Sequence, residues 1–536
     1  MEKREITIKL PENYVDVAWE WFKSKYGLLF RSNIKKKNNY YIINLGLGSL
    51  SYSINFSVSN LSPLQFYRIE GFGTVSPYFG TKPVELQGEN EVIFFDKSKK
   101  CCGVVEGRTL FLGFDPFMFI YHTITSNLEK KFDERIVVNL VKEAYLDTLS
   151  DVLFKAIQFL VVRSDGFIVT KAFWPAGEKF AVCLTHDVDE IRKTYQYLTR
   201  TLRYLKQREF SLLRNEFLSL ISKLKGDEPY WTFEKIIELE KSLGVTSSFY
   251  FLKETGKVKL FDKKTWRHLG RRYDFRDEKV SSIIKRLKRE GWDVGLHGSF
   301  YSFNNYELLK REKEELESVV EESVRGIRQH NLNLAIPETW RIQERLGFLY
   351  DTTLGSNHYL GFRFGTSFPF YPYDTEMGRF LKILEIPIII EDIVLFRSKD
   401  PWKSCLEVIE KVRRCNGVLT LLWHHAVFND LEFPGWASVY KRIIEYSRKK
   451  GAWITNALNL ARWWNFRMSA SLDVELEDNT ILIKSSDFVP INVYCKPTED
   501  LKIPDGIKVL SRNHNSVTII PTSNKVKLLL NTRCKI

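Results

Sequence analysis

From residue 179 onward, short apolar runs alternate with longer stretches whose apolar positions recur three and four apart, the pattern of strands alternating with amphipathic helices. The runs FAVCLTHD, VTSSFYFL, WDVGLHGS, LGFLYDTT, FLKILEIPIII, GVLTLLWHHAV and GAWITN read as strands. Most are apolar at consecutive positions, as strands covered on both faces must be, which predicts a parallel sheet or barrel. The helices between them carry end signals. DPWKSCLEVIEKVRRCNG has Asp400 as N-cap, Pro401 at its first position and Gly417 beyond its end. NNYELLKREKEELESVVEE opens on Asn305 as a cap.

The flanking segments follow other patterns. VDVAWEWFKSKYG predicts a helix closed by Gly27, KKKNNYYIINLGLGS a strand and turn, and GRTLFLGFDPF a strand followed by a loop. After LARWWNFR the chain alternates apolar and polar residues in SLDVELEDNTILIKSS, PINVYCKP, SVTIIPTS and KVKLLLNT, the period of antiparallel strands. The expected organisation is α/β throughout its centre. Residues 1–172 form an N-terminal mixed α/β domain, 173–466 a (β/α) barrel-like domain, and 467–536 a small antiparallel β module.

A chain of 536 residues that is 44% hydrophobic can build several cores. Its most apolar window, LFLGFDPFMFIYHTI, is interrupted by Asp115 and Pro116 and is too short to span a bilayer. The opening MEKREITIKLPENY is charged and then polar, unlike a secretory signal. The expectation is a soluble, cytoplasmic protein. Cysteines at 101, 102, 183, 405, 415, 495 and 534 make no even framework, which fits thiols in a reducing compartment.

The net charge of +14 concentrates in residues 191–225, where Leu198, Leu202, Leu205, Leu212, Leu213 and Leu220 give an amphipathic helix its apolar side. Its basic side is expected to face solvent, with peripheral contact to an anionic membrane surface or to an acidic glycan as the partners it suits. Charge alone supports no specific nucleic-acid partner. The oligomeric state is not readable.

The chemistry lies at strand ends. Asp187 and Asp189 stand where FAVCLTHD leaves the core, and residues two apart in a strand share a face at roughly 6.5–7 Å. His297 leaves the strand WDVGLHGS, His424 leaves GVLTLLWHH, and GIRQH brings Arg328 and His330 together. The C-terminal ends of parallel strands are where catalytic side chains collect. Asp and His ligate zinc, a free carboxylate serves as base, an opposed imidazole as acid, and an Arg steadies the base. Asp392 is a candidate to orient His424, and Trp423 and Arg363 are candidates to contact a ligand.

Across residues 175–465 these motifs resemble the polysaccharide deacetylases with the NodB-homology domain. The resemblance implies a metal-dependent hydrolase that removes acetyl groups from N-acetylated sugars of a polysaccharide or its precursor. By similarity Asp187 is the catalytic base, Arg328 steadies it, and His424 is the general acid. Asp189 and His297 match metal ligands of a divalent ion, expected to be zinc. The family's second histidine would fall at 301, where this chain has Tyr301. His330 is the candidate to supply the missing nitrogen, with water as the other occupant of that position. The competing reading is a non-catalytic glycan-binding protein on a degenerate deacetylase barrel.

Overall fold

The computed structural model describes residues 11–29, 31–37, 40–47, 50–57, 66–71, 74–79, 91–95, 101–127, 141–163, 166–254, 271, 273–477, 480–485, 487–495 and 501–530. The chain divides into two compact units, not three. One holds residues 179–363 and 367–462; the other holds the N-terminal 178 residues, 364–366 and everything from 463 on. The C-terminal strands are not a separate module because Ile491–Tyr494 pairs antiparallel with Ile168–Lys171 of the N-terminal segment. Sequence periodicity found those strands but carries no information about which distant strand they meet.

In the first-and-last unit an eight-stranded sheet is built from strands between Arg31 and Leu112. The helix Tyr14–Tyr26 closes on Gly27 at φ 59°, a left-handed position. A Cβ there would also sit 2.8 Å from the Lys171 Cβ, so glycine is required twice over. The expected loop after Leu112 is a helix, Pro116–Ile124, whose Asp115 caps the N–H groups of Phe117 and Met118. Asp followed by Pro is a start signal that the apolar context obscured. Among the described residues, no helix is long and apolar enough to cross a membrane.

The central unit is a curled, all-parallel sheet. Its strands are β1 Phe180–Val188, β2 Ser248–Leu252, β3 Asp293–Gly298, β4 Gly326–Gln329, β5 Tyr350–Asp351, β6 Leu384–Glu385, β7 Ile390–Glu391, β8 Val418–Leu422 and β9 Ala452–Asn456. The order is β6-β5-β4-β3-β2-β1-β8-β7, with β9 also on β1. β1 through β5 and β8 are buried along their whole length, which is why they read as continuous apolar runs. The run FLKILEIPIII is two short strands, β6 and β7, because Pro387 removes a ladder donor between them.

Glycines in β3 and β4 make room for two tyrosines. A Cβ at Gly295 would lie 2.6 Å from the Tyr250 ring, and one at Gly326 would lie 2.1 Å from Tyr350. Those phenols bond each other at 3.1 Å, and Tyr350 donates to Asp293 at 2.5 Å. The Tyr250 ring in turn lies 4.6 Å from the Arg328 guanidinium, so the packing of the sheet interior sets the position of a site residue.

The basic segment 191–225 is two helices, α1 Gln196–Gln207 and α2 Phe210–Leu224. Basic residues such as Lys206 and Arg214 face solvent as expected, but Leu198, Leu202, Leu205 and Leu220 face outward too, and the buried residues are Gln196, Tyr204, Glu216 and Ser219.

Candidate active site

β1 exits the sheet with alternating side chains on opposite faces. His186 turns away from the cleft, with Nδ1 2.8 Å from the Trp423 carbonyl and Nε2 3.0 Å from Glu240. Asp187 takes the other face. Arg328, one residue from the end of β4, donates through Nη1 to Asp187 Oδ1 at 2.6 Å. Its Nε and Nη2 go to the Thr352 carbonyl and hydroxyl at 2.9 and 3.0 Å, which leaves the planar fork no freedom. Burial alone would raise the pKa of Asp187, but Arg328, His297 and His424 hold it below the usual carboxylate range. Asp187 is therefore ionised at neutral pH.

His424 stands two residues beyond β8, and Asp392 follows directly after β7. Asp392 accepts from the His424 backbone N–H at 2.7 Å and from its Nδ1 at 2.8 Å. Those two hydrogen bonds fix the ring and leave Nε2 as the edge that faces the cleft. Burial opposes charge on the imidazole, yet Asp392, Asp189 and Asp187 raise its pKa to about 10. His424 is an imidazolium at neutral pH. Its neighbour His425 is the opposite: Nδ1 lies 3.1 Å from the Asp187 carbonyl, and burial drops its pKa to about 4.

Asp189, one residue past β1, meets side chains from three other places. Asp189 Oδ1 lies 3.2 Å from His297 Nε2, and Oδ2 lies 3.7 Å from His330 Nε2. The Nδ1 of His297 is held by the Arg328 carbonyl at 2.9 Å, which aims Nε2 at the aspartate. Burial lowers the basicity of His297, but Asp187 and Asp189 outweigh it and raise its pKa. The fourth group is Arg271. It donates from Nη1 to His330 Nε2 at 2.6 Å and sits 3.7 Å from Asp189 and 3.5 Å from Glu190. Burial lowers the pKa of His330, as suits a ring that accepts from a guanidinium.

The expected zinc ligands Asp189, His297 and His330 thus share a cluster without forming a ligand set. Zinc needs several donor atoms facing one point at about 2.0–2.3 Å. Asp189 and His297 satisfy that demand as a pair, since Asp189 Oδ1 is buried with no hydrogen-bond partner among the described residues. His330 does not, because its Nε2 lone pair is engaged by Arg271. Among the described residues, no group of three His, Cys, Asp or Glu side chains is arranged to hold a metal ion. Tyr301 offers no substitute and is 48% exposed.

Asp187, Asp189, His297, His330 and His424 line one cleft of about 540 Å3, and Arg328 reaches it through Asp187. The six residues given catalytic or metal-binding roles from the sequence thus meet at one place. Trp423 is fully buried and presents no stacking face, while Arg363 donates to the Gly355 carbonyl at 3.4 Å. Sequence reasoning missed Arg271. It stands apart from the described strand ends, in the stretch LGRRYDF, so neither spacing nor periodicity marks it.

No protein-family model and no curated protein matches the chain. Solved structures do. A protein from Mycobacterium smegmatis assigned as a polysaccharide deacetylase aligns with a TM-score of 0.36 and 16% identity, over 55% of this chain and 93% of that one. The peptidoglycan deacetylase PdaC of Bacillus subtilis aligns at 0.27 and 10%, over 54% and 93%. A pseudoenzyme of the CE4 family from Bacillus anthracis aligns at 0.27 and 13%, over 53% and 66%.

Proposed function

We propose that the chain is a hydrolase of amide bonds that removes the acetyl group from N-acetylated sugars of a polysaccharide or its precursor. One observation carries the reading: two groups of opposite protonation state, each locked by its own counter-ion, open onto one cleft. Asp187 is ionised by Arg328 and His424 is protonated by Asp392. Amide hydrolysis needs that pairing, a base for water and an acid for the leaving nitrogen.

In the proposed sequence Asp187 accepts a proton from a water whose oxygen attacks the acetyl carbonyl carbon. The resulting oxyanion meets positive charge from Arg271, which borders the cleft. His424 then gives its Nε2 proton to the nitrogen as the C–N bond breaks, releasing acetate and a free amine. The proton held by Asp187 returns to His424 through solvent. Because the three donors expected for zinc do not form a set, no step is assigned to a metal. The sugar rests on the motif resemblance across 175–465, since no cleft residue reads out a particular ring.

Acetate release from N-acetylglucosamine oligomers, measured for the parent protein and Asp187→Asn, tests the reading. Turnover by the parent that is lost in the variant supports it. Tight oligomer binding by both with release by neither would favour the glycan-binding alternative.

A further inference from the structure

The hairpin of α1 and α2 is built inside out. Its inward side is held by charge: Lys193 Nζ contacts Glu216 at 2.6 Å and Ser219 at 3.3 Å, and also bonds Glu432. Arg200 of α1 bonds the same Glu432, to which Tyr230 donates at 3.2 Å, and Tyr197 donates to the Ser219 carbonyl at 3.2 Å. Paired and hydrogen-bonded in this way, the charges can stay buried. The apolar residues are left outside. Leu198 is 67% exposed, Phe210 69%, Phe217 63% and Leu224 80%, with Leu202 and Leu205 at 58% and 50%.

Helical spacing gathers these residues into stripes. Leu198, Leu202 and Leu205 stand four and three apart on α1, and Phe210, Phe217 and Leu224 stand seven apart on α2. At 100° per residue, Lys206 falls beside the first stripe and Arg214 beside the second, while Arg208 and Lys225 cap the C-terminal ends of the two helices. All four are exposed, as is Arg203, and the exposed acid of the hairpin is Glu209. Contiguous exposed apolar surface of this kind marks a docking face.

We propose that this face docks the protein onto an anionic lipid bilayer, with the leucines and phenylalanines among the acyl-chain boundary and Lys206, Arg208, Arg214 and Lys225 on headgroup phosphates. Charge complementarity selects the occupant. A second copy of the chain would set the same basic flanks against each other, whereas an anionic headgroup layer neutralises them and leaves room for Lys and Arg stems to extend outward. The opposite side of α1 borders the cleft, where Thr199, Arg200 and Arg203 form part of its wall. Docking therefore anchors the helix whose other side walls the cleft. The inference stands independently of the amide chemistry.

The test is co-sedimentation of the full chain with phosphatidylcholine vesicles with and without about one-third phosphatidylglycerol, at low and high salt. Binding is expected only with the anionic lipid and is expected to weaken with salt. Lys206→Gln/Arg208→Gln/Arg214→Gln should reduce partitioning about 100-fold, at about fivefold per cation near the surface. Leu198→Asn/Leu202→Asn/Phe217→Asn should reduce it at least tenfold, with circular dichroism unchanged because these side chains hold no core contact. Equal binding to both vesicle types, or no binding, would overturn the proposal. So would self-association in solution that the Asn variant abolishes while vesicle binding persists.

Discussion

Replacing Asp392 by Asn removes the charge that makes His424 an acid while leaving a hydrogen-bond acceptor of the same shape. The rise of the His424 pKa from its ordinary value of 6.5 to about 10 amounts to ~5 kcal/mol in favour of the imidazolium, at about 1.4 kcal/mol per pH unit. Burial opposes that rise, and the favourable part is shared by Asp392, Asp189 and Asp187, with Asp392 foremost. The side chain is 17% exposed, so solvent takes over some of the lost interaction. About half the total, ~2–3 kcal/mol, is the expected loss in Asp392→Asn. The direction follows from the acid's role: kcat/KM falls as pH rises through the His424 pKa. For the parent that limb lies near 10, and in the variant it should move down by about 2 pH units. Stability should follow the same linkage. A folded-state pKa raised above the unfolded value stabilises fully below 6.5 and loses that contribution as pH climbs to about 10. Urea melts should therefore separate parent and variant at about pH 6 and bring them together near pH 10. Acetate release against pH supplies the kinetic arm. An alkaline limb that stays in place in the variant would refute the assignment of His424 as the acid.

Asp187→Asn should lower acetate release by about 10²–10⁴-fold, the span a general base contributes, and a variant retaining a tenth of the parent rate would exclude Asp187 as base. Arg271→Ala should free His330 Nε2 and complete a three-donor set with Asp189 and His297; zinc titration against a chromophoric chelator should then show at least tenfold tighter binding than the parent. Identical affinities would mean that the guanidinium does not control His330. Tyr301→His, by contrast, should change zinc affinity little, because that side chain is largely exposed in the present arrangement. Gly326→Ala should destabilise by about 3 kcal/mol in urea, since the new methyl would lie 2.1 Å from the buried Tyr350 ring; a loss below ~1 kcal/mol would mean the sheet interior yields more easily than its packing implies.

The parts of this protein that were legible in its sequence are those set by local periodicity. Continuous apolar runs located β1, β2, β3 and β8, and the polar residues that end them located Asp187, His297 and His424. Those residues stand out because burial on both faces leaves few reasons for a carboxylate or imidazole at a strand end. Asp392 was within reach for the same reason, as it directly follows β7. Three features were not legible. The pairing of Ile168–Lys171 with Ile491–Tyr494 joins segments more than 300 residues apart, and no local pattern encodes a partner. The hairpin α1–α2 has the period of an ordinary amphipathic helix, and that period alone does not say which side faces the protein. Only Lys193 and Glu432, which lie outside both helices, show that the polar side faces in. Arg271 lies in a polar stretch with no repeating signal, and its role depends on which carboxylates it meets.

Those carboxylates explain why two acids two residues apart remain ionised in a buried site. Like charges so close would ordinarily drive one of them to take up a proton. Each here has its own cation. Asp187 has Arg328 at 2.6 Å, while Asp189 lies among His297, His330 and Arg271 and is held well below the usual carboxylate range against the pull of burial. Asp392 is matched in turn by protonated His424. Asp187, Asp189 and Asp392 are therefore each matched by a fixed cation, Arg328, Arg271 and His424, before any ion is added. A divalent cation entering beside Asp189 would add two positive charges next to Arg271 and require His330 to exchange a guanidinium for a metal. Metal affinity in this cleft is thus a competition with Arg271, and its strength is set by how far that one side chain can withdraw toward Glu190, 3.5 Å from its Nε.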